Sequence, residues 1–174
     1  LVNYMVGRQM KERFPKGNRQ PGEILFEIKD LHATDPNNPE RSVVSGASFA
    51  LRRGEILGIA GLMGSGRTEL VTTIFGEYGK VTQGEITLEG KPVTLKSARD
   101  AIRHGISLVP EDRKKQGLVL IKSILENISL PNLNQFARFF SLDKDSELDA
   151  SMKQAKNLAI KAPNLQAQCN SLSG

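Results

Sequence analysis

The apolar positions divide the chain into a strand-rich first half and a helical second half. Residues 24–31 carry apolar side chains at the spacing of a strand, and residues 43–51 alternate well enough for a second strand. The segment Asp35-Pro36-Asn37-Asn38-Pro39 between them predicts a turn. A third strand is predicted over residues 55–60, directly before a glycine-rich segment, and a fourth over residues 84–90.

Helical signals begin after the glycine-rich segment and dominate the end of the chain. Residues 68–75 read as a helix that Gly76 ends, and Ser97 is a candidate N-cap for a short second helix. Residues 106–109 read as a buried strand, and from Ser123 onward the apolar residues recur at helical spacing. This order predicts an α/β core with a helical lobe.

Residues 61–68, Gly-Leu-Met-Gly-Ser-Gly-Arg-Thr, follow the pattern of a phosphate-binding loop. Glycines let the chain turn tightly, so that several backbone N–H groups point at a polyphosphate, and the following helix adds the positive end of its dipole. Thr68 stands where a hydroxyl ligates Mg²⁺, and Arg67 replaces the usual lysine. The arginine keeps the positive charge, but its planar fork follows a transferring phosphoryl group less well than a compact ammonium does.

Beyond the loop, the order of the motifs resembles the ATP-binding cassette of ABC transporters. A strand-like run ends in Val109-Pro110-Glu111-Asp112-Arg113, and Leu172-Ser173-Gly174 follows a helical stretch. In that family the same order is phosphate loop, Gln-loop, helical subdomain and LSGG signature. The sequence of residues 61–70 and 108–118 resembles that of the second cassette of the tandem ATPases that energise bacterial monosaccharide importers of the ribose, xylose and galactose type.

The resemblance implies a fold and a division of the chain. The expected fold is α/β: a RecA-like P-loop NTPase core with an antiparallel β subdomain and a helical subdomain, incomplete at the C-terminus. Residues 1–22 are expected to be the tail of a first cassette and a linker. Residues 23–120 are expected to form the nucleotide-binding core with its β subdomain, and residues 121–174 the helical subdomain up to the signature.

The resemblance also assigns roles to individual residues. Glu111 stands at the Gln-loop position and is expected to hold Mg²⁺ together with Thr68. The residues expected to bind ATP are Gly61, Leu62, Met63, Gly64, Ser65, Gly66, Arg67, Thr68 and Glu69. Those expected to contact the ATP of a partner cassette are Leu172, Ser173 and Gly174. No catalytic residue is expected here, because the Walker B carboxylates and the switch histidine would follow Gly174.

The implied function is that of a sugar-transporting ATPase, which couples ATP binding and hydrolysis to sugar uptake through a membrane permease. The expected partners are the permease subunits, the first cassette of the same polypeptide and, indirectly, a sugar-binding protein. The expected location is the cytoplasmic face of the membrane, and the 174-residue chain alone is expected to be inactive. Arg67 motivates one alternative, a non-hydrolysing nucleotide clamp that supports catalysis at the partner cassette.

Composition changes this picture little. The net charge of +5 favours a nucleic-acid ATPase, but no aromatic residues interleave with the basic clusters, and no nucleic-acid partner is expected. A phosphate-loop kinase or GTPase is the remaining alternative, although no guanine-reading Asn-Lys-x-Asp motif occurs. No apolar run approaches the length of a membrane-spanning helix. The single Cys169 and two histidines form neither an internal disulfide nor a zinc-ligand set.

Overall fold

A four-stranded antiparallel sheet forms most of the first half of the chain in the computed structural model, which describes residues 20–139 and 141–172. Its strands lie in the spatial order β2-β1-β3-β4. They are β1 (Ile24–Asp35), β2 (Asn38–Arg52), β3 (Lys80–Leu88) and β4 (Lys91–Pro92). The predicted strands at 24–31, 43–51 and 84–90 are therefore confirmed, and their bounds differ from the predicted ones everywhere except at the start of β1.

The core lies on one face of β1, and a bulge changes which positions of the strand point inward. Phe26 and Ile28 are buried before the bulge, and Leu31 and Ala33 after it. The register shifts between Ile28 and Leu31, where Asp30 adopts a positive φ of 47°. Because a bulge adds a residue to one strand, the buried positions change from even to odd. Val44 of β2, Ile86 of β3, Ile74 of the helix after the glycine-rich loop and Leu95, which follows β4, belong to the same cluster.

Two helices accompany the sheet. The helix α1 (Arg67–Ile74) follows the glycine-rich loop and is followed by Gly76, whose φ of 75° only glycine adopts without strain. The helix α2 (Ala98–Arg103) is capped by Ser97, whose Oγ accepts a hydrogen bond from the Asp100 N–H at 3.2 Å. The predictions for both helices and for the Ser97 cap are confirmed.

The chain divides into two compact units between Leu108 and Val109. In the second unit, Ser123 and Glu126 form a capping box at the start of a helix, because each accepts a hydrogen bond from the backbone N–H of the other. The predicted domain bounds at 22/23 and 120/121 are not tested by this division and stay predictions.

The helices and short strands of the second unit are α3 (Ile124–Ser129), β5 (Ala137–Arg138), β6 (Ser141–Leu142) and α4 (Lys144–Asn157). It also contains a π-helical turn at Arg113–Gly117 and 3₁₀ turns at Leu130–Gln135 and Cys169–Ser171.

Two predicted strands do not form. Residues 55–60 and 106–109 are in neither a helix nor a strand, and the prediction of strands there is wrong. Ile56 is 89% exposed and Val109 is 92% exposed, so neither run is buried. A strand is stable only when its backbone pairs with a neighbour, and no segment among the described residues pairs with either run.

None of the described helices has the length and apolar character needed to cross a bilayer.

Candidate functional site

The phosphate-binding pattern forms an exposed loop between residues 61 and 66, and it leads directly into α1. Gly64 and Gly66 have φ values of 80° and 82°, in the left-handed region that a Cβ atom disfavours. The Ser65 N–H donates to the Leu62 carbonyl at 3.1 Å and closes a turn. The Leu70 N–H donates to the Gly66 carbonyl at 2.8 Å and begins the helix.

Many of the backbone donors of this loop are free. The N-cap residue of α1 is Gly66, so no side chain caps the helix. In the part of the chain that the structure describes, eight of the nine backbone N–H groups of residues 61–69 donate no hydrogen bond, the exception being that of Ser65. Five of the eight lie around the start of α1: those of Gly64, Gly66, Arg67, Thr68 and Glu69. Unpaired N–H groups at a helix N-terminus, together with the helix dipole, form a site for an anion. The nine residues predicted to bind ATP are consecutive, and the free backbone N–H groups among them suit a polyphosphate.

Close packing inside and beside the loop explains two of its glycines. A Cβ atom at Gly61 would collide with the Ser65 hydroxyl and lie 3.1 Å from the Ser65 Cβ. A Cβ atom at Gly66 would lie 3.3 Å from the carbonyl oxygen of Val43 in β2. The loop thus folds back on itself at one end and rests on β2 at the other. The sheet positions the loop through this second contact.

The predicted Mg²⁺ ligands are on different units. Thr68 is exposed, and its carbonyl rather than its hydroxyl accepts a hydrogen bond from the Thr72 Oγ1, at 2.7 Å. Among residues 20–139 and 141–172, no group of three or more histidine, cysteine or acidic side chains is placed to hold a metal ion. Mg²⁺ in nucleotide sites takes one or two protein ligands plus phosphate oxygens and water, so the Thr68 hydroxyl fits an ion that arrives with its nucleotide.

Glu111 is exposed and lies two residues before a turn of π-helix geometry. Its neighbour Asp112 caps that turn, since the Asp112 Oδ1 accepts from the N–H groups of Lys114 and Lys115, each at 3.1 Å. Mg²⁺ binding by Glu111 stays a prediction. At the other end of the unit, the Leu172 N–H donates to the Cys169 carbonyl at 3.2 Å. Ser173 and Gly174 lie outside the described residues.

Sequence reasoning missed a polar cluster at the turn between β1 and β2. Asp35 is almost fully buried, and its Oδ1 accepts from the Asn37 N–H at 2.9 Å. Its Oδ2 accepts from the Tyr78 hydroxyl at 3.0 Å and lies 3.5 Å from the Arg41 Nη1. The Asn37 N–H, the Tyr78 hydroxyl and the Arg41 charge hold the pKa of Asp35 below its ordinary value, although burial opposes them. The only sequence signal was an aspartate at the start of a turn.

Comparisons with known proteins agree with this geometry. A family model described as "ABC transporter" matches residues 44–174. The xylose import ATP-binding protein XylG of Thermoanaerobacter pseudethanolicus is 42% identical over all 174 residues, and that of Brucella melitensis is 44% identical. The chain covers 34% of each of these relatives, so it spans about a third of their length.

Solved structures share the fold at lower sequence identity. The cbiO1 protein from Clostridium perfringens, part of the ABC transporter complex cbiONQ, superposes with a TM-score of 0.62 at 20% identity, over 87% of this chain and 56% of that one. The ADP conformation of MJ1267, an ATP-binding cassette of an ABC transporter, gives 0.62 at 21% identity, over 87% and 60%. These likenesses confirm the predicted α/β fold of a phosphate-loop nucleotide-binding domain with an antiparallel β subdomain.

Proposed function

Since the chain belongs to the ABC transporter family, we propose that it forms part of the ATP-binding subunit of a bacterial monosaccharide importer. The relatives that it matches over its whole length are named xylose import ATP-binding proteins, which makes a pentose such as xylose the best-supported cargo. The single observation that carries ATP binding is the set of free backbone N–H groups between Gly64 and Glu69, all but that of Ser65, around the start of α1.

These donors suit the triphosphate of ATP for two physical reasons. Hydrogen bonds from N–H groups to a charged oxygen are shorter and about twice as strong as neutral ones. The α1 dipole and the Arg67 guanidinium place positive charge where the phosphate charge is concentrated. The loop itself is exposed, so a nucleotide reaches these groups without displacing other protein atoms. The chain's own contribution is therefore binding and orientation of the phosphates.

Mg²⁺ belongs to the same proposal. When bound, the ion neutralises charge on the β- and γ-phosphate oxygens. We assign the Thr68 hydroxyl as its protein ligand, with Glu111 as a second candidate. We also propose that Leu172, Ser173 and Gly174 contact the ATP of a partner cassette. These residues bind the nucleotide and its ion and take no catalytic step themselves.

We propose that the protein works in an assembly at a membrane. The partners are the transmembrane subunits of a sugar permease, the first cassette of the same polypeptide and, indirectly, a sugar-binding protein. The location is the cytoplasmic face of the membrane. We propose residues 1–22 as the tail of the first cassette and the linker, residues 23–120 as the nucleotide-binding core with its β subdomain, and residues 121–174 as the helical subdomain up to the signature. The names of the relatives give no support to the non-hydrolysing clamp that Arg67 suggested.

Isothermal titration calorimetry with Mg-ATP tests the binding site. Gly66→Ala is expected to weaken ATP binding at least about tenfold, because it places a Cβ in a left-handed conformation against the Val43 carbonyl. The matched control is Gly90→Ala, at a φ of 73° in open space on the turn after β3, and it should bind ATP like the parent chain. Equal affinities for all three proteins, or no binding by any, would contradict the proposal. In the full-length protein, Gly66→Ala should also lower the uptake of labelled xylose.

A further inference from the structure

Residues 165–172, the segment that leads to the signature, are held by hydrogen bonds to the chain just before α3. Near the end of this segment, the Cys169 N–H donates to the Lys122 carbonyl at 3.0 Å, and the Asn170 N–H donates to the Leu120 carbonyl at 3.1 Å. Apart from one 3₁₀ turn, the segment belongs to no helix or named strand. Its position therefore depends on these bonds to neighbouring chain.

The two acceptor carbonyls lie on a turn that one side chain of α3 fixes. The Lys122 N–H donates to the Val119 carbonyl at 2.9 Å and closes the turn. The Asn127 side chain bonds to both backbone groups of Val119: its Oδ1 accepts from the N–H at 2.8 Å, and its Nδ2 donates to the carbonyl at 3.0 Å. A primary amide carries a donor beside an acceptor, so it pairs with one residue as a neighbouring strand would.

The same amide also contacts the segment that leads to the signature directly. Its Nδ2 lies 3.2 Å from the Cys169 Sγ and 2.9 Å from the Ser123 carbonyl oxygen. Cys169 is 7% exposed and Asn127 is half-buried, so water has little access to the contact. Sulfur is a weak acceptor, and the two bonds to Val119 therefore contribute more than the contact to Cys169. Asn127 thus holds residue 169 by two routes, through its sulfur and through the turn that accepts its N–H.

We propose that Asn127 is a positioning residue for the signature, because its side-chain amide sets where residues 169–172 lie. This inference rests on the proposed function, in which the signature contacts ATP held by a partner cassette. Such a contact forms only when two cassettes close on the nucleotide. A displaced signature therefore slows turnover and leaves ATP binding at the loop of this chain unchanged.

The thiol of Cys169 reports directly whether the segment is held, since the chain contains no other cysteine. Burial shields this thiol and raises its pKa, so it should react slowly with DTNB in the folded parent chain. Asn127→Leu keeps a similar volume and removes all four hydrogen bonds of the amide. It is expected to speed the thiol reaction about five- to thirtyfold, through local opening of the segment.

Turnover of the full-length protein, assembled with its permease, tests the effect on the signature. Asn127→Leu should lower kcat for ATP hydrolysis about five- to thirtyfold and leave KM within about twofold. Calorimetry on the 174-residue variant should give a Kd for Mg-ATP within about twofold of the parent value. Asn127→Asp keeps the acceptor and replaces the donor with an oxygen, so it should give the same division of effects. It also supplies the comparison if Asn127→Leu does not fold.

Ser129→Ala is the matched control on the same helix. The Ser129 Oγ donates to the Glu147 Oε1, so this variant weakens the second unit and leaves the contacts of Asn127 in place. Its urea midpoint should fall, while its thiol reactivity and kcat should equal those of the parent protein. A loss of kcat as large as that of Asn127→Leu would show general destabilisation and would overturn the inference.

Three other outcomes are decisive. If the thiol reacts at the parent rate in both Asn127 variants, the amide does not hold the segment and the inference is wrong. Faster thiol reaction with the kcat of the parent protein would show that the signature does not depend on Asn127, and it would overturn the inference alone. If the full-length parent protein hydrolyses no ATP, the proposed function fails and the inference falls with it, whatever the thiol rates.

Discussion

Gly76 follows α1 and its C-cap residue. Replacing it with alanine measures how closely the end of α1 approaches the backbone of Ser97. A Cβ atom there would lie 2.7 Å from the N atom, 2.8 Å from the carbonyl C and 2.9 Å from the O of Ser97. These are backbone atoms of the residue that caps α2, so they cannot rotate away. Gly76→Ala must therefore shift either the end of α1 or the start of α2.

The expected cost has two parts. The left-handed φ of 75° costs a residue with a Cβ about 1–2 kcal/mol. Forcing a methyl group into occupied space costs a further 1–3 kcal/mol or so. Gly90→Ala isolates the first part, since its φ is 73° and nothing lies within 4 Å of its Cβ position. The loss of chain entropy in the unfolded state is the same for both variants and cancels.

Urea unfolding followed by far-ultraviolet circular dichroism measures both variants, because the chain contains no tryptophan for fluorescence. Gly76→Ala should lose about 1–3 kcal/mol more than Gly90→Ala, equivalent to a midpoint lower by roughly 1 M urea. If the two variants unfold at the same concentration, the close approach of Gly76 to Ser97 does not exist in solution, and the reasoning is refuted.

Two further predictions concern the capping box of α3. Ser123→Ala should destabilise the second unit by about 1 kcal/mol, measured by urea unfolding, because it removes the acceptor of the Glu126 N–H. The hydrogen bonds from Lys122 and from Ser123 hold the pKa of Glu126 at about 2, below an ordinary value of 4.5. A lowered pKa stabilises the fold above pH 4.5 and loses that effect as the pH falls toward 2, so the stability difference between the parent chain and Glu126→Gln should shrink over this window. A pH-independent difference would contradict the assignment.

Patterns of neighbouring residues in the sequence predicted the elements that form through contacts between neighbouring residues. The Ser97 cap, the end of α1 at Gly76 and the phosphate loop each rest on residues within a few positions of one another. The two strands predicted at 55–60 and 106–109 failed because an apolar run indicates burial, while a strand also needs a pairing partner that no local pattern supplies.

The polar cluster around Asp35 was not predictable for a related reason. Asp35 and Tyr78 are 43 positions apart in sequence, and only the pairing of β1 with β3 brings their neighbourhoods together. The bulge at Asp30 likewise shifts every inward position after it by one residue. Periodicity predicted that β1 is a strand but did not predict where its register changes.

The exposed apolar side chains before and within the phosphate loop have a consequence for what the chain meets in solution. Ile56, before the loop, and Leu62 and Met63, within it, present nearly their whole side chains to water, and none of the three lies in a described strand. Short uncovered segments of this kind are what chaperones retain, proteases cut and neighbouring copies aggregate through. Within the described residues, these three side chains, rather than those of the buried sheet face, are therefore the first to meet such partners.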